Sequence, residues 1–275
     1  MEKSFYTGKG IGVCILDTGI YEHIDFTGRI WAFYDFLAFK RRPYDDNGHG
    51  THVAGLVAGD GTASMGKYRG AAPGCGIIAL KVLDRYGTGS QDDVLRALRW
   101  IREYRQQYRI RVVNISVGTT CNSKRNHARL LESVEQLWDE GVVVVTAAGN
   151  QGPRPGSITA PGSSKKVITV GSSDLLEGRS AISGRGPTAE CVCKPDIVAP
   201  GNKIMSCVNE VITLVKDTSL AFVVAVAEMF TLAKQIASSQ TTMVPFVVAA
   251  VFYYVFNLLV AVIMDKVEKK LNYYR

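Results

Sequence analysis

The sequence predicts an α/β fold: a parallel β-sheet with helices on both faces, followed by a C-terminal helical segment of membrane type. Three observations carry this expectation. Between residues 11 and 201, short β-branched runs alternate with amphipathic stretches, the strand–helix–strand rhythm of a parallel sheet. The runs are continuously apolar rather than alternating, as strands covered on both faces require. Finally, Asp, Glu, Lys and Arg are absent over the 30 residues from Gln235 to Met264, which sets the C-terminal part apart.

The expected strands are 11–16, 76–83, 111–116, 142–147 and 166–171. Two helices are expected between them. Residues 90–108 place Val94, Leu98, Ile101 and Tyr104 on one face, and 128–140 do the same with Leu130, Leu131, Val134, Leu137 and Trp138. Gly141 then serves as the C-cap of the second helix. A short helix over 50–58 carries small residues, Ala54 and Gly55, that let it lie close on the sheet. Ligands of such sheets bind beyond the carboxyl ends of the strands, and Asp17 stands at one of those ends.

With 275 residues the chain can bury one large core, or a domain of about 200 residues and an appendage. Its net charge of +7 is modest. Arg96, Arg99, Arg102 and Arg105 recur at helical spacing and make a solvated face rather than a phosphate stripe, so no nucleic-acid partner is expected. The six cysteines show no disulfide framework. Cys14 lies in an apolar strand as a small core residue, and Cys191 and Cys193 lack the second pair that a metal site needs. The first residues contain no apolar signal core, which with free thiols suggests the cytoplasmic side.

The chemistry concentrates at Asp17-Thr-Gly19 and, 32 residues on, His49-Gly-Thr-His-Val-Ala-Gly55. An aspartate ending a strand can be buried against an imidazole, fixing its tautomer and stabilising the imidazolium that forms. Gly48 and Gly50 let backbone crowd such a site. His52 reads as a packed histidine, since His49-Gly-Thr-His52 lacks the glutamate of a zinc helix. Asp45, Asp46 and Asn47 could hold calcium but read better as a solvated loop, so no metal or other cofactor is assigned.

Residues 8 to about 208 resemble the subtilisin-like serine proteases, the subtilase family. The resemblance is carried by Gly12-Val-Cys-Ile-Leu-Asp17-Thr-Gly19, the run at His49, Val113-Asn-Ile-Ser-Val-Gly118, Val145-Thr-Ala-Ala-Gly-Asn150 and Lys194-Pro-Asp-Ile-Val-Ala-Pro-Gly201. It implies a serine endopeptidase acting on polypeptides, with Asp17 and His49 as acid and base of the relay. It also implies that Asn150 meets the oxyanion, that Ser116, Val117 and Gly118 pair with substrate backbone, and that Ala147, Ala148 and Gly149 wall the specificity pocket.

The family's Gly-Thr-Ser-Met-Ala-x-Pro element has only a partial counterpart in Asp217-Thr-Ser-Leu-Ala221, where Asp217, Leu220 and Val223 replace its Gly, Met and Pro. Ser219 is the candidate nucleophile; an N-capping serine is the other reading. Residues 209–275 resemble instead the C-terminal end of a polar amino-acid ABC-transporter permease subunit. Asn209-Glu-Val-Ile-Thr-Leu-Val-Lys-Asp-Thr-Ser-Leu220, Ala227-Glu-Met, Ala233-Lys-Gln-Ile236 and the basic end after Met264 carry that resemblance. A transmembrane helix over about 243–264 would be roughly 33 Å long, with Lys266, Lys269, Lys270 and Arg275 directly behind it.

The chain thus reads as a chimera: a peptidase domain over 1–208, cut before the family's serine element, and a permease-like tail over 209–275. Membrane association through the tail is expected, or a cytoplasmic location if the tail does not insert. An alternative to the protease is a catalytically dead binding module on a membrane tether.

Overall fold

Seven parallel strands form one sheet: β1 (Gly12–Asp17), β2 (Ile30–Asp35), β3 (Gly76–Lys81), β4 (Ile110–Ile115), β5 (Val143–Ala147), β6 (Ile168–Ser172) and β7 (Ile197–Ala199). Their order across the sheet is β2-β3-β1-β4-β5-β6-β7. The computed structural model describes residues 6–119, 124–173, 182–202 and 204–206, all within the unit Met1–Asn209. The expected parallel α/β architecture is therefore present. Ser219, the permease-like tail and the membrane span expected at 243–264 lie outside the described residues. Among the described residues, no helix is long and apolar enough to cross a membrane.

Three α-helices accompany the sheet: α1 (His49–Ala58), α2 (Gln91–Tyr104) and α3 (Lys124–Asp139). Ser90 caps α2, its side chain accepting from Asp93 N, which satisfies one orphan donor of the first turn. Gly141 takes φ +82, and the turn behind α3 closes with Gly141 N to Trp138 O at 2.9 Å and Val142 N to Leu137 O at 3.0 Å. That is the glycine end anticipated from sequence. The arginine face of α2 is engaged with acids: Arg96 with Asp93, and Arg102 and Arg105 with Glu140.

Two apolar layers sandwich the first half of the sheet. On one side Leu98, Ile101, Val134 and Leu137 of α2 and α3 pack with Cys14, Leu16, Leu80 and Val113. On the other, Ala54 and Ala58 of α1 pack with Val13, Ile15, Ile77 and Ala79. β1 and β3 are accordingly buried at every position, the signature that marked them as strands. From β4 onward alternate residues are half-buried or exposed, and all of β7 is exposed. Burial on both faces, expected for every strand, is complete in β1 and β3, the two strands that α1 packs against most extensively.

Two strands escaped the sequence. β2 is an edge strand with a single buried residue, Asp35, so it carries no continuous buried run. β7 has three residues and follows Pro195, too short for any period to show.

Lys81 ends β3 in register with Asp17. It is 1% exposed. Its ammonium donates to Thr18 O (2.6 Å), Leu83 O (2.8 Å) and Asp46 Oδ1 (2.6 Å), which uses all three protons. A buried cation is tolerable only with partners of this kind. Replacing it by Met would orphan two backbone carbonyls beside the site. Lys81→Met is expected to lower the unfolding free energy by about 3 kcal/mol, measured by urea denaturation; a loss below about 1 kcal/mol would contradict this account of the residue.

Candidate active site

Asp17 closes β1 and is 1% exposed. Its Oδ1 accepts from Thr18 N at 2.7 Å and lies 2.7 Å from His49 Nδ1. Its other oxygen, Oδ2, is buried without a hydrogen-bond partner among the described residues. The aspartate thus has one strong side-chain partner among the described residues, the imidazole. The imidazole is about 50% exposed, so one edge is held by protein while the rest is accessible. The hydrogen bond to Asp17 raises the His49 pKa above the usual histidine value, against burial, with the charges of Asp17 and Asp45 adding to the rise.

His49 opens α1, and the preceding residue, Gly48, sits at φ +99 with no side chain to cap the helix. The orphan donors of the first turn are met from elsewhere. His49 N donates to Asn47 Oδ1 (3.0 Å), Gly50 N to Thr18 Oγ1 (2.9 Å) and Thr51 N to Asp45 Oδ2 (2.9 Å). Gly50 permits the approach of α1 to β1: a Cβ there would stand 2.2 Å from Gly19 O and 3.1 Å from Asp17 Cβ. His52, one turn on, lies 3.0 Å from Ile204 O through Nε2, the packed role expected of it.

The loop carrying Asp45 and Asp46 offers little to calcium. Both oxygens of Asp45 are occupied by protein donors: Thr18 Oγ1, Asn47 N and Gly48 N on Oδ1, and Thr51 N and Oγ1 on Oδ2. Asp46 is engaged by Lys81. No cluster of His, Cys, Asp or Glu among the described residues could hold a metal, the exposed Cys191 and Cys193 included.

The residues expected to bind substrate do not share one wall. Val117 and Gly118 line a depression of about 680 Å³, whereas Ala147, Ala148 and Gly149 line another of about 380 Å³. Ser116 and the exposed Asn150 line both. Neither lining includes Asp17 or His49. Thr159 was not anticipated: a Cβ would meet its Oγ1 at 2.6 Å from Gly118 and at 2.1 Å from Gly149. Glycine at both positions lets this threonine sit between the two segments, and nothing in its local sequence marks it. Gly149 itself lies at φ +89, and Gly184 N holds its carbonyl at 2.8 Å.

Chemically, a buried carboxylate on Nδ1 leaves Nε2 as the nitrogen that can exchange protons. The pair has the form of the acid–base half of a hydrolytic relay.

The model of the subtilase family matches residues 8–250. Serine protease AprX of Bacillus subtilis (strain 168) is 43% identical over 213 residues, which is 73% of this chain and 48% of that protein. The thermophilic serine proteinase of Bacillus sp. (strain AK1) is 35% identical over 203 residues, 73% and 46% of the two chains. Among solved structures, the S41 psychrophilic protease superposes with a TM-score of 0.61 at 30% identity, covering 74% of this chain and 73% of its own. The chain spans about half the length of the first curated relatives it matches. The family match runs past residue 208 to residue 250, across the stretch containing Ser219. The family resemblance thus extends beyond residue 208, where the sequence placed its end, and these matches lend no support to a permease resemblance for 209–250.

Two outcomes follow from the geometry. Because the His49 pKa is raised when folded, the Asp17 contact stabilises fully below the unfolded value of about 6.5 and fades as pH rises through the folded value. The stability difference between the wild type and Asp17→Asn should therefore shrink from pH 6 to pH 9 in urea titrations; a constant difference would exclude the linkage. Gly50→Ala should cost roughly 1–3 kcal/mol, as overpacking against fixed backbone does, and a neutral result would remove the close approach from the account.

Proposed function

The chain belongs to the subtilase family, and on that premise we propose that it hydrolyses peptide bonds of polypeptide substrates as a serine endopeptidase. In this reading His49 Nε2 takes the proton of Ser219 Oγ as that oxygen attacks the scissile carbonyl carbon. Asp17 holds the Nδ1–H tautomer and stabilises the imidazolium. Asn150 donates to the oxyanion of the tetrahedral intermediate, a contact of the kind worth about 2.7–4 kcal/mol of barrier. His49 then returns its proton to the leaving amine, and water releases the acyl group by the same steps in reverse order of partners.

The observation that carries the reading is the 2.7 Å contact between His49 Nδ1 and Asp17 Oδ1 at a buried strand end. The family match through residue 250 supports Ser219 as the attacking serine. Ser116, Val117 and Gly118 would pair with extended substrate backbone, and Ala147, Ala148 and Gly149 would face its side chains.

A second reading is favoured by the residues around Ser219. Asp217 stands where the family motif has glycine and would set a negative charge beside the developing oxyanion. A dead relay would leave a polypeptide-binding module. A tether at 243–264 and a membrane location rest on the sequence alone; extraction of the chain from membranes by alkaline carbonate would remove them.

A fluorophosphonate separates the two readings by intact mass. The protease reading expects a single adduct that is absent from Ser219→Ala, with a labelling rate that climbs with pH through a value above the usual histidine range, since only neutral His49 accepts the proton. No adduct on a folded chain would favour the binding module.

A further inference from the structure

Asp45 belongs to neither the aspartate–histidine pair nor any substrate contact, yet more protein donors converge on its carboxylate than on Asp17's. On one side it accepts from Thr18 Oγ1 at 2.9 Å, the residue directly after Asp17. On the other it accepts from Gly48 N at 2.7 Å, Thr51 N at 2.9 Å and Thr51 Oγ1 at 2.6 Å, the residues flanking His49. Asn47 N, at 3.1 Å, completes the set. Thr18 Oγ1 in turn accepts from Gly50 N, so the exit of β1 and the first turn of α1 are stitched at two points. A short antiparallel bridge between Gly19 and Asp45 runs alongside.

We propose that Asp45 is the positioning residue of the pair: its carboxylate locks the start of α1 to the end of β1 and thereby sets His49 Nδ1 on Asp17 Oδ1. The role rests on reading His49 as the working base.

The physical case has three parts. Gly48 cannot cap α1 with a side chain, so the helix start would be loose without a remote acceptor. A negative charge there also meets the positive end of the helix. And a carboxylate accepting five hydrogen bonds, from the residue after β1, from its own loop and from α1, has one geometry that satisfies them all, which a singly bonded group has not. The charged groups facing His49 are Asp17 from β1 and Asp45 from the loop before α1. Lys81 and Asp46 pair with each other at Thr18 O.

The test is the histidine titration of the full chain by NMR, with the His49 signal assigned by its loss in His49→Ala. It needs no peptide cleavage, so a chain without fluorophosphonate reactivity can still pass or fail it. Asp45→Asn keeps the side chain's size but turns an amide donor toward donors it now meets. Thr18→Val cuts the link from Asp45 to β1 while keeping every charge. The expected result is a downward shift of the His49 pKa in both variants. A lowered Tm with an unmoved His49 pKa would overturn the proposal, because a merely structural residue would do that. A shift in Asp45→Asn alone would also overturn it, assigning Asp45 a Coulombic effect only. Should Asp45→Asn not fold, Thr18→Val decides the question by the same readout.

Discussion

A carboxylate taken out of water is among the costliest things a fold can bury, and this fold buries Asp17 at the end of a strand lying third from one edge of the sheet. One backbone N–H and one imidazole supply its hydrogen bonds on Oδ1, while Oδ2 has no partner among the described residues. An under-satisfied anion of this kind favours a proton donor close by, and the imidazole is that donor. The rest of the neighbourhood is arranged so that it can stand there. Gly50 lets α1 come within contact of β1, and Gly19 lies at φ +124 with Tyr44 O only 2.2 Å from where a Cβ would be. Lys81 fixes the carbonyl of Thr18 from below β3's end.

The same constraint explains the direction of the His49 pKa. The protonated ring answers the buried charge, so the cation is favoured despite partial desolvation. For a general base this has a cost and a use: more of the ring is protonated at neutral pH, but the base that results is stronger. The segments that follow β4 and β5, neighbours in the sheet, both approach Thr159, which leaves no room for a Cβ at Gly118 or Gly149 and whose hydroxyl is buried and unpaired among the described residues.

How much of this was legible depends on what each residue does. Asp17, His49 and Gly50 could be found because their chemistry is local: a strand end, a helix start and glycines needed for close approach. β1 and β3 announced themselves as unbroken apolar runs. Asp45 did not, since its partners lie 27 residues before it and up to six after it, and an acidic loop is ordinarily solvated. Lys81 was not singled out, because its burial depends on the carbonyl of Thr18 and the carboxylate of Asp46, both distant in sequence. β2 and β7 are exposed enough to lose the pattern that marks a strand. The closeness of Thr159 to both Gly118 and Gly149 is a long-range contact that no period predicts. The extent of the family match, to residue 250, was obscured by substitutions at three positions around Ser219 and by the apolar composition that follows.

One buried carboxylate holds the imidazole at Nδ1. The measurement that tests it most directly is the one-dimensional proton spectrum of the ¹⁵N-histidine-labelled chain at low pH. A far-downfield, nitrogen-coupled proton belonging to His49 Nδ1 and missing from Asp17→Ala is expected. A folded wild-type chain whose His49 shows no such proton, or keeps it without Asp17, would contradict it.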